Sequence, residues 1–317
     1  MKEYDIISIG EALIDYIPLD NDVCGRYLSS VGGAPLNVAV GIAKMGGKAA
    51  FIGRVGDDSL GKAITKELNQ YGVSCSLVQY DRIKHTTITI CMPQNSDMQR
   101  YIIYRDNSAD IALDFNKIGV TTFRNTHFLH IGALLNVNQS SAQKMFNLIK
   151  LAREQGAMIS FDVNMRPGCW ENEAKMIEQS LALAEVSDII KVTEDEKYRM
   201  SLPIDRYSKE GKIILVTDSE RDINVFWKEH RIVEKVRKVD VADVTGAGDA
   251  FFSAFLFQYC KYLNSNVKIE VSEVSNCARI GMLAGSHSVQ YIGAHQSFPT
   301  YSELINKTPR SENDTYI

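Results

Sequence analysis

The sequence predicts an α/β fold: a doubly wound, mostly parallel sheet with helices on both faces and a small β-lid beside it. Three observations predict it. Short β-branched runs alternate with helix-period patterns along most of the 317 residues, the arrangement that builds βαβ units. Hydrophobic residues make up 45% and charged residues 23%, which suits a large buried core and excludes a disordered chain. Two extended segments interrupt the alternation, and hairpins do not fit inside a doubly wound layer.

Strands are expected over 4–9, 49–53, 127–131, 158–162, 188–192 and 213–217, and helices over 34–44, 59–71, 140–155 and 173–185. Several strands end at glycine or polar residues, where an open α/β sheet holds its ligands. Residues 84–104 read Lys-His-Thr-Thr-Ile-Thr-Ile-Cys-Met, then a polar turn over 93–97, then Arg-Tyr-Ile-Ile-Tyr, the pattern of a hairpin. With the extended stretch 14–31 it forms the expected lid, from about 14–31 and 84–106, inserted in a single domain over 1–317; an ordinary edge hairpin is the alternative. The polar stretch 308–317 reads as a frayed tail.

Lys plus Arg number 35 against 39 Asp plus Glu, and a net charge of −4 supplies no field for a polyanion, so nucleic acid is not an expected partner. The six cysteines lie far apart without a C-x-x-C pair, as buried thiols of a reducing compartment would; a cytoplasmic protein is expected. The N-terminus is too polar for a signal peptide. The strongest apolar run, 250–257, falls far short of the ~20 residues of a membrane span. No P-loop, no G-x-G-x-x-G after the first strand, no H-E-x-x-H and no G-x-S-x-G occurs, so the corresponding nucleotidases, dehydrogenases, zinc hydrolases and esterases lose support. The six histidines read as surface or core residues.

The sharpest local feature is Asp243-Val244-Thr245-Gly246-Ala247-Gly248-Asp249, opening into the apolar run. A glycine turn leading into a helix leaves the N–H groups of Gly246, Ala247 and Gly248 unpaired, and with the helix dipole they make an anion site. Asp249 stands at its mouth. It is either a base that takes a proton from a hydroxyl attacking a phosphate, or an acid that merely stabilises the helix N-terminus; spacing alone favours neither. A second cluster is Gly32-Gly33-Ala34-Pro35-Leu36-Asn37. Its glycines allow close approach of a ligand, and Asn37 offers donor and acceptor to a polyol, or caps and packs locally.

Taken together, the Gly32 to Asn37 block, the run Gly53-Arg54-Val55-Gly56-Asp57-Asp58-Ser59-Leu60-Gly61 and the Asp243 to Asp249 block resemble the signatures of the ribokinase/pfkB family of carbohydrate kinases. Gly10-Glu11-Ala12-Leu13-Ile14-Asp15, Tyr104-Arg105-Asp106-Asn107-Ser108-Ala109-Asp110 and Phe161-Asp162-Val163-Asn164-Met165-Arg166-Pro167 with Trp170 resemble its fructokinase branch. The likeness runs from about Tyr4 to Thr300 and implies a ribokinase-like fold.

By that resemblance Asp249 is the catalytic base, and the N–H groups of Gly246, Ala247 and Gly248 hold charge on the transferred phosphoryl group. Asp15, Gly32, Gly33, Asn37, Arg105 from the lid and Arg166 are the sugar-side residues, with Arg166 near sugar or phosphates. Thr217, Ser219, Gly246, Gly248 and Asn276 are the nucleotide side. ATP is the implied co-substrate, with Mg²⁺ and its waters near Glu196 and Asn164. The resemblance further implies a K⁺ site bordered by Asp243 and Thr245 and a homodimer joined through the lid, whose edges need covering. This chain departs from the family at Thr193, at the loop 218–222, where Ser219 and Asp222 replace glycines, and at Tyr291. The leading expectation is transfer from ATP to D-fructose. The alternatives are 2-keto-3-deoxygluconate as acceptor, against which Ala34 weighs, and a non-catalytic sugar sensor, against which Asp249 weighs.

Overall fold

The computed structural model describes residues 2–92, 101–218 and 222–306. β1 (Tyr4–Ile9) is followed by the hairpin β2 (Leu13–Pro18) and β3 (Tyr27–Gly32) and by helix α1 (Ala34–Lys44). Next come β4 (Ala49–Gly56), α2 (Ser59–Gln70), β5 (Val78–Asp81), β6 (Thr87–Cys91) and β7 (Tyr101–Tyr104). The regular alternation resumes with β8 (Thr126–Gly132), α3 (Gln139–Glu154), β9 (Met158–Asp162), α4 (Glu173–Glu185), β10 (Ile189–Thr193), α5 (Glu194–Met200), α6 (Ile204–Lys209) and β11 (Ile213–Thr217). A hairpin, β12 (Ile223–Trp227) and β13 (His230–Glu234), precedes α7 (Ala247–Asn264), α8 (Val271–Ser288) and α9 (Tyr301–Asn306).

The main sheet has nine strands in the order β13-β12-β11-β10-β9-β8-β1-β4-β5. Every pair from β5 to β11 is parallel, and the β12–β13 hairpin adds an antiparallel edge. The order reverses at β1, which lies between β4 and β8, so a crevice opens beyond the carboxyl ends of β1 and β8. The small sheet, β3-β2-β6-β7, is built from the two segments that break the rhythm. Asp15 of β2 pairs with Ser30 and Thr89 in it. The turn expected over 93–97 and the tail expected over 308–317 lie outside the described residues.

Alternation along the central strands divides the core. Ile6, Phe51 and Phe128 pack with α1, α7 and α8 on one face, while Ile7, Ile131 and Phe161 pack with α3 and α4 on the other. Residues 249–260 of α7 are buried without a break, because the sheet, α1 and α8 enclose it; hence its sequence shows no amphipathic stripe. Two other helices start where the sequence supplies a cap: Asp58 accepts from Gly61 N–H at the head of α2, and Asn138 from Ser141 N–H at the head of α3. Among the described residues, no helix is long and apolar enough to cross a membrane. The six cysteines are free thiols.

Candidate active site

The N-termini of α1 and α7 meet at the crevice. Gly33, at φ 118, caps α1 in a conformation other residues rarely adopt, and a Cβ there would lie 2.3 Å from the Glu11 carbonyl oxygen. Glu11 Oε1 accepts from Ala34 N–H at 3.1 Å, while its buried Oε2 has no partner; burial pushes the carboxyl up. A side chain on Gly32 would fall 2.1 Å from Asp15 Oδ2, so that glycine makes room for the Asp15 carboxylate. Burial raises Asp15 to about 6, against the pull of Thr89 and Arg166.

Gly246, left-handed at φ 76, turns the chain into α7. The turn closes by a bond from Ala247 N–H to Val244 O at 3.2 Å, so Ala247 is not the free donor its sequence suggested. Gly246 and Gly248 N–H have no protein acceptor among the described residues. Asp249, one turn in, is 9% exposed. Its Oδ2 accepts from Asn37 Nδ2 at 2.8 Å, and no described residue donates to Oδ1. Burial first, then the Asp162 charge, lifts this carboxyl to about 7; Lys191, Asn37 and Arg166 pull the other way. A carboxyl poised near neutrality is suited to general-base work.

Lys191 escaped the sequence reading. It sits in the buried strand β10 and donates to both Asp162 oxygens at 2.9 Å. A Cβ on Gly248 would lie 2.9 Å from its ammonium, which puts the cation beneath the amide-rich turn. Burial depresses this ammonium, but Asp162, Asp249 and Glu196 together outweigh burial and hold it charged. A lysine among Ile189, Ile190 and Val192 in a doubly covered strand was the available signal.

Arg166 sits over the Tyr101 ring, 5.5 Å from its centroid, and its charge acts on Asp15, Asp162 and Asp249. Arg105, the sugar-side residue expected from the lid, is held in place. Its Nε meets Asp110 at 2.6 Å and its Nη2 donates to Leu134 O at 3.1 Å, because a buried guanidinium needs both. Asn37 uses one amide N–H on Asp249 and sets its amide oxygen against His295, which leaves the second N–H without an acceptor among the described residues.

On the far side of the cleft, Glu196 Oε1 accepts from Met165 N–H and Oε2 from Thr193 N–H, at 2.6 and 2.9 Å, in a reciprocal capping box with Thr193. Thr193 therefore keeps the capping role of a shorter hydroxyl residue. Asn164 is left-handed at φ 37. Among the described residues no group of three or more His, Cys, Asp and Glu side chains could enclose a metal. A magnesium ion carried on phosphates keeps several waters, and the free lone pairs of Glu196 fit such waters without direct ligation.

On the nucleotide side, Thr217 ends β11 and is half-buried, while Ser219 lies outside the described residues. Asn276 stands toward the far end of α7 from Asp249. It donates to the Tyr262 hydroxyl at 2.6 Å and accepts from Arg279, so it stands beside a residue 13 positions along α7 from Asp249, roughly 20 Å at the helical rise. The antiparallel course of α8 brings Gly285 to the Asp249 end, against the Ala247 carbonyl. Asp243 closes its own turn: Oδ1 accepts from the Thr245 N–H and hydroxyl, and Oδ2 from Gly293 N–H.

What this constellation can do is move a phosphoryl group onto an alcohol, and a sugar phosphotransferase is the class the fold and site define. The chain belongs to the pfkB family of carbohydrate kinases, which it matches over residues 4–301. It is 28% identical over 312 residues to a probable fructokinase-4 of Arabidopsis thaliana, covering 94% of this chain and 95% of that one. Its fold is similar to that of an uncharacterized sugar kinase from Pyrococcus horikoshii solved in complex with ATP, at 26% identity and TM-score 0.83, over 95% and 97% of the two chains. It is also similar to a fructokinase double mutant from Vibrio cholerae solved with fructose, ADP and potassium, at 24% identity and TM-score 0.85, over 96% and 98%.

Proposed function

We propose that the protein transfers the γ-phosphate of ATP to a primary hydroxyl of D-fructose, giving fructose 6-phosphate. The observation that carries the reading is Asp249, a carboxyl raised to about 7 at the mouth of a helix whose Gly246 and Gly248 N–H groups lack protein acceptors. Asp249 takes the proton of the attacking hydroxyl, and the two amides with Lys191 receive the charge spread over the phosphoryl oxygens. Glu196 and Asn164 would hold the waters of a magnesium ion carried on ATP, which would neutralise charge on the phosphates. Asp243 and Thr245 border any K⁺ site. Asp15, Gly32, Gly33 and Arg166 orient the sugar.

The charge balance favours a neutral acceptor over 2-keto-3-deoxygluconate. Arg105 is neutralised by Asp110, so that cation is not left to receive a substrate carboxylate, and Arg166 already faces the charges of Asp15, Asp162 and Asp249 without pairing with any of them among the described residues. ADP-release measurements over a panel of neutral and acidic sugars, with and without K⁺, test the proposal. Preferential turnover of fructose is expected; preference for an acidic sugar overturns the substrate, and sugar binding without turnover overturns the reaction. The functional unit is a homodimer joined through the small sheet, where Leu19, Leu28 and Tyr104 are exposed.

A further inference from the structure

Asp249 Oδ2 ends a hydrogen-bonded row that links α7 to α1, the segment after α8, and α2. Asn37 Nδ2 donates to the carboxyl at 2.8 Å, Asn37 Oδ1 lies 3.0 Å from His295 Nδ1, and His295 Nε2 lies 2.8 Å from Glu67 Oε1. His295 is fully buried. Neither it nor Glu67 has a part in the reading of sugar, phosphate or metal given above.

Donor and acceptor chemistry fixes the direction of the row. An ionised Asp249 only accepts, so the amide nitrogen of Asn37 must face it and the amide oxygen must face His295. That oxygen also only accepts, so Nδ1 must carry a hydrogen. At the other end the hydrogen bond from His295 is the chief cause holding the Glu67 carboxyl below its usual range, and an ionised Glu67 accepts from Nε2–H. Reversing the Asn37 amide would set oxygen against oxygen at Asp249 unless the carboxyl were protonated, and a protonated carboxyl is no base.

We propose that His295, anchored by Glu67, is a positioning residue for phosphoryl transfer: it locks the Asn37 amide with its nitrogen toward Asp249, and so keeps the base ionised with Oδ1 free. The proposal rests on the reading of Asp249 as the base. The surroundings hold the relay in place. The Tyr71 ring stands edge-on to the imidazole with centroids 5.5 Å apart, Lys44 Nζ donates to the His295 carbonyl at 3.0 Å, and Gln296 Nε2 donates to Glu67 Oε1 at 3.2 Å. The charged groups acting on the Asp249 end are Lys191, Asp162 and Arg166.

Two measurements test it. In steady-state kinetics with the sugar the wild type phosphorylates, His295→Leu should lower kcat about tenfold, the size of one lost hydrogen bond, and leave the sugar KM within about twofold. His295→Asn, which keeps an N–H donor near the Nδ1 position, should recover most of the loss; melting curves verify that both variants fold. Independently of any variant's stability, ¹⁵N-histidine spectra of the wild type should show a hydrogen on Nδ1 of His295. An unprotonated Nδ1, or a His295→Leu enzyme with wild-type kcat, overturns the proposal. Absence of turnover with every sugar removes the base reading and the proposal together, whereas normal wild-type turnover with an indifferent His295→Leu removes the proposal alone.

Discussion

The Lys191 ammonium lies 2.9 Å from both oxygens of Asp162, with the two side chains almost wholly buried on neighbouring strands. Such a pair contributes little net stability by itself, yet losing one partner leaves an unmatched charge in the core. Its position beneath Gly248 adds, on the proposed reading, to the phosphate-side field as well as to the core.

Lys191→Met should therefore destabilise the fold by about 3–5 kcal/mol, and the double variant Lys191→Met with Asp162→Asn should regain most of that loss. Denaturant melts of the two single variants and the double complete the cycle. Turnover, in contrast, should stay low in the double variant, because the cation under the anion site is still missing.

Asp249→Asn should lower kcat by ~10²–10⁴ with little change in sugar KM, the usual worth of a positioned base. Asparagine still accepts from Asn37, so the row remains intact and the loss reports on proton abstraction. Initial-rate kinetics with the preferred sugar measure it, and a rate near wild type removes Asp249 from the role.

Burial raises Asp249 from the ordinary 3.8 to about 7, and base action needs the ionised form, so kcat should rise with pH through an acid limb near neutrality. Stability moves the opposite way. Between about 4 and 7 the folded state holds a proton that the unfolded chain has released, so this group favours the fold at the acid end and loses that contribution as pH rises through its folded value. Asp249→Asn should abolish the limb and melt about 3–6 °C above the wild type at pH near 8, with the difference vanishing near pH 4. pH–rate profiles and calorimetry at matched ionic strength check both signs.

Leu28 and Tyr104, on the two edge strands of the small sheet, are 44% and 51% exposed. A lysine on such an edge blocks pairing with a second copy. Leu28→Lys should shift the mass seen by light scattering from dimer to monomer while leaving the melting temperature within about 2 °C, as surface changes usually do.

How much of this was legible beforehand follows from which interactions are local. The helices over 34–44 and 173–185, the parallel strands and the antiparallel segments of the small sheet follow from periodicity, which a residue shares with its near neighbours. So does the Gly246 turn into α7, since a left-handed glycine and an apolar helix are written consecutively. The pairing of Lys191 with Asp162, the fixing of Arg105 by Asp110 and Leu134, and the row from Asp249 through Asn37 and His295 to Glu67 join residues from different elements, and strand order decided them. Asn276 shows the limit most plainly: it lies on a helix beside α7, and only the antiparallel course of α8 decides that it meets Tyr262, far along α7 from Asp249. The sequence by itself determined the class of fold, the glycine turn and the carboxyl at its mouth. Only the tertiary structure decided which buried charges face one another, because burial and distance in space, not spacing along the chain, set a carboxyl's affinity for a proton.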